Sequence, residues 1–202
     1  MNNRSSAILT VGLLLSVAVY LSGYVLLEGQ FVRHMLAHII IMGPVACLCA
    51  LALLRLGRQL ALSRIFPYLW WATSIQILMF LVLHAPFVHI NLHSLPVLSL
   101  TMAVMLGIST WYWCAVFYAG TARLWQAILT LLLTGKVFCM LAILIVFSPR
   151  ALYSGFHHLV PVHEQQLAGL LMMVACPLSY VLTAVVLSAR WLNQLERGVQ
   201  TE

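Results

Sequence analysis

Three stretches of this sequence hold all eight of its histidines. "FVRHMLAHIIIMGP" (31–44) carries His34 and His38, and "LHAPFVHINLH" (83–93) carries His84, His89 and His93. "GFHHLVPVHEQQ" (155–166) carries His157, His158 and His163. Imidazole ligates copper, zinc, iron and nickel, and thioether sulfur suits reduced copper. His34 and His38 are four residues apart, so on a helix they project from one face. Met35 and Met42 lie three residues before and four after His38, on an overlapping face. One helix thus offers two nitrogens and one or two sulfurs to a cation. His84, His163 and Met172 are the candidate ligands from other segments, and the sequence leaves open whether those segments meet. Isolated loop histidines such as His89 and His93 read as solvated side chains. Met79, Met102, Met105 and Met140 read as packing.

The elements that must position these residues follow from composition. Hydrophobic residues make up 63% of the chain and charged residues 7%. A soluble domain carries about a quarter charged residues, so the chain reads as a membrane protein. Lipid offers no partner to open backbone, which makes the expected fold class all-α, a polytopic helix bundle. Apolar runs near the length of a crossing, about 20 residues, predict six transmembrane helices at 7–27, 34–54, 68–83, 95–118, 124–147 and 166–189, in a single transmembrane domain over 1–202. The first run is followed by no small-x-small cleavage site and reads as a retained anchor.

Six spans place both termini on one side. That side holds Arg4, Arg55, Arg58, Arg64, Arg123, Arg190 and Arg197, and the other holds Arg33 and Arg150. The positive-inside bias then makes both termini cytoplasmic. Trp70, Trp71, Trp125 and Trp191 fall near span ends, as interfacial anchors do. In this topology all three histidine stretches lie at the outer face. The basic residues are dispersed over short loops, so a nucleic-acid partner is not expected, and membrane lipid is.

Two further features stand inside the spans. Cys47, Cys49, Cys114, Cys139 and Cys176 are an odd count within apolar helices and do not read as a disulfide framework. Lys136 falls near the middle of the fifth span, with no acidic residue at its depth, and reads as facing the bundle interior. No intramembrane carboxylate pair, serine–histidine motif, nucleotide loop or H-E-x-x-H arrangement is present. The expectation is a protein that is not an enzyme and has no catalytic residues.

Three motifs carry a resemblance. They are "HMLAHIIIMGPVACLCAL", an H-M-x-x-H before an apolar run with an early proline, "LHAPFVH", an H-x-P after a span, and "VPVHEQQLAGLLMMV", an acidic-Gln-Gln-x-x-Gly-x-x-Met opening of a late span. In this order they resemble the integral membrane CtaG-type assembly factors of bacterial caa-type cytochrome c oxidases, from Phe31 to about Leu182. The resemblance implies a bacterial inner-membrane protein that helps mature a haem-copper oxidase by supplying copper. Carried over by position, it points to His34, Met35, His38, His84, Gln165, Gln166, Gly169 and Met172. The chain departs from the family where "SLPVLSLTMAVMLG" lacks a further histidine pair and acidic residue, and where His163-Glu164 replaces an aspartate.

The expected function is therefore copper binding or delivery at the outer face, through His34, Met35, His38, His84, His163 and Met172. Gln165 and Gln166 would brace the ligand imidazoles or line the entrance, because ligand histidines usually donate their second nitrogen to an outer partner. The expected partner is an oxidase subunit or a copper donor. One alternative is a b-type cytochrome, with haem held by His38 and either His84 or His163. Another is a structural membrane subunit.

Overall fold

The computed structural model describes residues 3–60, 68–86, 95–119, 123–153 and 160–199. His89, His93, His157 and His158 lie outside them. Regular structure among the described residues is helical throughout. Helix α1 covers Asn3–Leu26. Helix α2 runs Gln30–Ile40, passes a π-helical turn at Ile41–Val45 and continues as Ala46–Leu60. Then follow α3 (Leu69–Leu83), α4 (Leu95–Tyr118), α5 (Leu124–Val146) and α6 (Val162–Val199).

Among the described residues, four stretches are long and apolar enough to cross a membrane: Gln30–Arg55, Pro96–Tyr118, Leu124–Val146 and Val162–Glu196. Two more apolar stretches, Thr10–Leu26 and Leu69–Leu83, are shorter. The exterior matches this composition. Leu14, Trp71, Leu100, Leu144 and Val174 are all more than 60% exposed, which suits a lipid surround and not water. The chain is thus an all-helical, membrane-associated protein.

The π turn has a local cause. Pro44 has no N–H to donate and its ring crowds the preceding turn, so the regular hydrogen-bond ladder cannot continue through it. The Ala46 amide donates to the Ile41 and Gly43 carbonyls. The Met42 carbonyl accepts from the indole Nε1 of Trp113 on α4, at 2.9 Å. A helix defect is thereby satisfied by a neighbouring helix, and the contact keys α2 to α4.

Helices α5 and α6 form the most extensive pair. Gly169 permits their close approach near the start of α6. A Cβ there would stand 2.8 Å from Val146 Cγ2 and 3.2 Å from the Val146 backbone nitrogen. Helix α2 packs on α4 and α6, and α3 packs on α4 and α5, while α1 packs chiefly on α2. The core is aromatic. Phe80 stacks on Phe138 at 3.7 Å between ring centroids, and Tyr180 meets Phe138 at 5.4 Å and Trp113 at 5.2 Å.

Lys136 corrects an expectation. It is exposed on the outward face of α5, not turned into the bundle. The inward face is taken by Leu131, Thr134, Gly135, Phe138 and Ala142. At about 100° per residue, position 136 must then point away. On an insertion scale a lysine at the helix centre costs about 3 kcal/mol.

Candidate functional site

The histidine row sits where the first half of α2 meets the end of α3. Gly29 caps the start of α2, and its φ of 95° favours glycine. Glu164 Oε1, from the first turn of α6, accepts the Phe31 amide at 2.6 Å. This satisfies one of the donors that a helix start leaves open, and a carboxylate suits the positive end of the helix dipole. Arg33 turns back over the start. Its Nε donates to the Leu27 carbonyl at 3.1 Å, and its guanidinium lies 4.6 Å from the Tyr24 ring centre.

From that fixed start, His34 and His38 fall on one face, as their spacing predicts. Their ring centroids are 4.3 Å apart. His38 then meets His84 edge to face, at 5.7 Å and an interplanar angle of 81°. Both rings are buried, His38 at 5% exposure and His84 at 3%. Three imidazoles from two helices thus form a continuous row.

His84 is firmly held. It follows the last residue of α3, and its ring lies 4.2 Å from that of Phe80. Its Nδ1 is 2.8 Å from the Phe80 carbonyl. A carbonyl only accepts, so Nδ1 carries the hydrogen and Nε2 keeps the lone pair in the neutral ring. The His84 carbonyl accepts the Tyr153 hydroxyl at 2.9 Å. Tyr153 also packs on Phe31 at 4.8 Å. Burial pushes the Tyr153 phenol up to about 12. The connection between α5 and α6 therefore ties the α2 start to the α3 end.

The remaining candidates are distributed differently. Met35 and Met172 are buried in the apolar core. His163 is exposed on the first turn of α6, and among the described residues the row through His34, His38 and His84 does not extend to it. Gln166 is half-buried. Gln165 is fully buried, but its amide serves backbone and not imidazole. Its Oε1 accepts the Leu152 amide at 2.7 Å, and its Nε2 donates to the Ile145 and Arg150 carbonyls, each at 3.3 Å. It is a positioning residue for the segment that carries Tyr153. Among the described residues, no group of three or more His, Cys, Asp or Glu side chains stands ready to hold a metal ion.

His34 also borders a groove of about 900 Å³ between α1, α2 and α4, lined in part by Tyr20, Tyr24, Arg33, Ser99 and Met102. One end of the histidine row therefore opens sideways, while the other is enclosed.

Sequence reasoning missed a polar cluster deeper in the bundle. Gln76 Nε2 donates to Ser109 Oγ at 3.2 Å and to Tyr180 Oη at 3.4 Å, and Ser109 Oγ lies 3.2 Å from Gln76 Oε1 as donor. Gln76, Phe80 and His84 recur every four residues, so one face of α3 carries the amide, the stacking ring and the imidazole. That periodicity was the available signal. No family model, curated protein or solved structure matches this chain.

Proposed function

We propose that this chain is a copper-handling membrane protein that takes up or passes the ion at the outer face, through His38 and His84 with His34 as the entry ligand. The observation that carries the reading is the buried contact between His38 and His84, with His34 beside it. With metal–nitrogen bonds of about 2 Å, two imidazoles on one ion place their centroids roughly 5–6 Å apart. The observed 5.7 Å fits. The Phe80 carbonyl on His84 Nδ1 supplies the outer partner that ligand histidines usually have. A pair of imidazoles, unlike a finished cage, suits a cargo that must leave as well as enter. The chemistry is ligand exchange, and no covalent step is needed.

The wider reading has six spans, with the two shorter apolar helices crossing as well and both termini cytoplasmic in a bacterial inner membrane. It draws support from the arginine distribution. The motif resemblance makes an oxidase subunit or a copper donor the proposed partner.

The test is reduced-copper binding by the purified full chain in detergent, by competition with a chromophoric chelator. His38→Ala and His84→Ala are each expected to weaken binding at least tenfold, and His163→Ala to leave it within twofold. Unchanged affinity in both His38→Ala and His84→Ala sinks the site. An optical spectrum of the same sample separates the alternative, because a strong Soret band would mean bis-histidine haem instead.

A further inference from the structure

The outward stripe of α5 has a composition that lipid alone does not explain. Leu129, Leu133, Met140 and Leu144 are exposed along one side of the helix, at 46%, 43%, 51% and 64%. Lys136 is exposed in the middle of that row. The residues recur at intervals of three and four, so they form a single stripe.

Lys136 stands twelve positions after Leu124 and ten before Val146. At 1.5 Å per residue that is about 18 Å from one end of the helix and about 15 Å from the other. The hydrocarbon layer is about 30 Å thick. A lysine stem reaches ~6 Å, so its amine falls short of both interfaces.

The chain cannot supply the counter-charge at that depth. It has four acidic residues and no aspartate. Glu28 precedes α2, Glu164 opens α6 and binds Phe31, Glu196 lies near the far end of α6, and Glu202 is at the terminus. A second copy of this chain has the same inventory, so it offers no carboxylate at mid-depth either.

We propose that the α5 stripe centred on Lys136 is a docking surface for a transmembrane helix of a different protein, one that carries an aspartate or glutamate at mid-depth. The apolar side chains flanking Lys136 pack on that helix, and the ammonium donates to its carboxylate. An ionisable group inside a membrane faces a partner or a wet cavity, and the groove beside His34 lies between α1, α2 and α4, away from this face. The inference is independent of the copper reading.

The first test uses a designed leucine–alanine transmembrane helix with one central glutamate, added to the labelled full chain in phosphatidylcholine vesicles. Energy transfer is expected to show association at least tenfold tighter with the wild type than with Lys136→Leu. Lys136→Arg keeps most of it, and a probe with central leucine does not discriminate. Lys136 points outward, so Lys136→Leu is expected to keep the wild-type helix content by circular dichroism. Equal association of the glutamate probe with wild type and Lys136→Leu overturns the proposal. So does self-association of the chain that Lys136→Leu abolishes and the glutamate probe does not compete away.

The second test places a photocrosslinking residue at Met140 in native membranes. The captured partner must carry a mid-span carboxylate, and exchanging that carboxylate for lysine must restore capture by Lys136→Glu. A partner without such a carboxylate, or a failed exchange, refutes the docking.

Discussion

Replacing Gly29 by alanine is expected to cost about 3 kcal/mol, because two penalties fall on the same point. The first is conformational. The φ of 95° with ψ at 131° is a positive-φ conformation nearly confined to glycine, which costs a residue with a Cβ about 1–3 kcal/mol. The second is contact. A Cβ at position 29 would land on the Glu164 carboxylate. That group must then retreat from the Phe31 amide, which it now accepts at 2.6 Å. Losing a hydrogen bond to a charged group costs about 1.5–3 kcal/mol. The two components are separable by a double-mutant cycle. Glu164→Ala alone loses the hydrogen bond only. In Gly29→Ala with Glu164→Ala the carboxylate is gone, so the collision is relieved and the hydrogen bond is lost once, not twice. The double variant should therefore be less destabilised than the sum of the singles, by about the worth of that bond, 1.5–3 kcal/mol. Unfolding in mixed micelles, titrated with a denaturing detergent and followed by tryptophan fluorescence, measures all four corners. A Gly29→Ala variant within about 0.5 kcal/mol of wild type refutes the reasoning. Strict additivity of the two singles would show that the carboxylate and the glycine act separately.

Two further outcomes follow from the loop that supports the histidine row. Gln165→Leu takes the amide partner from the Leu152 N–H and the Ile145 carbonyl, and one of two donors from the Arg150 carbonyl, which the Ser148 hydroxyl also serves. It should lower stability by about 2–3 kcal/mol in the same unfolding assay, with little change in copper affinity for the folded fraction. If Gln165→Leu removed copper binding and left stability intact, Gln165 would be a brace for the ligands instead. Tyr153 predicts a pH dependence. Its phenol is pushed from 10 to about 12 by burial. The folded state thus holds its proton more tightly than the unfolded chain. The contribution is complete below pH 10 and declines as pH rises through about 12, by roughly 2 kcal/mol. Stability measured from pH 9 to 12 should fall more steeply in wild type than in Tyr153→Phe, and parallel curves would refute the assignment.

Much of the fold was legible because helical periodicity and apolar length are local properties. The predicted 124–147 span differs from α5 by one residue, and 95–118 coincides with α4. The face shared by His34 and His38 was equally local, since four residues make about one turn. Local patterns did not extend to contacts between helices. The spacing of the third motif put Gln165 and Gln166 beside the ligands, but the Gln165 amide is spent on three backbone groups of the α5–α6 connection. Lys136 read as an interior residue because its depth was computable and its azimuth was not. Azimuth depends on which face of α5 fits α6, and that face is defined by Gly135 and Phe138 against Tyr180.

The sequence by itself determined that this chain is helical and membrane-associated, that His34 and His38 share a face, and that few charges are available to satisfy one another. These follow from side-chain transfer energies and the 3.6-residue period, which need no neighbour. Only the tertiary structure decided that His84 joins that face while His163 stays outside, that Glu164 serves the start of α2, and that Lys136 looks away from the core. Each of those depends on close approach between distant segments. That approach is governed by whether small residues such as Gly169 and donors such as Trp113 let two helices meet, a property of the packed bundle that no single stretch contains.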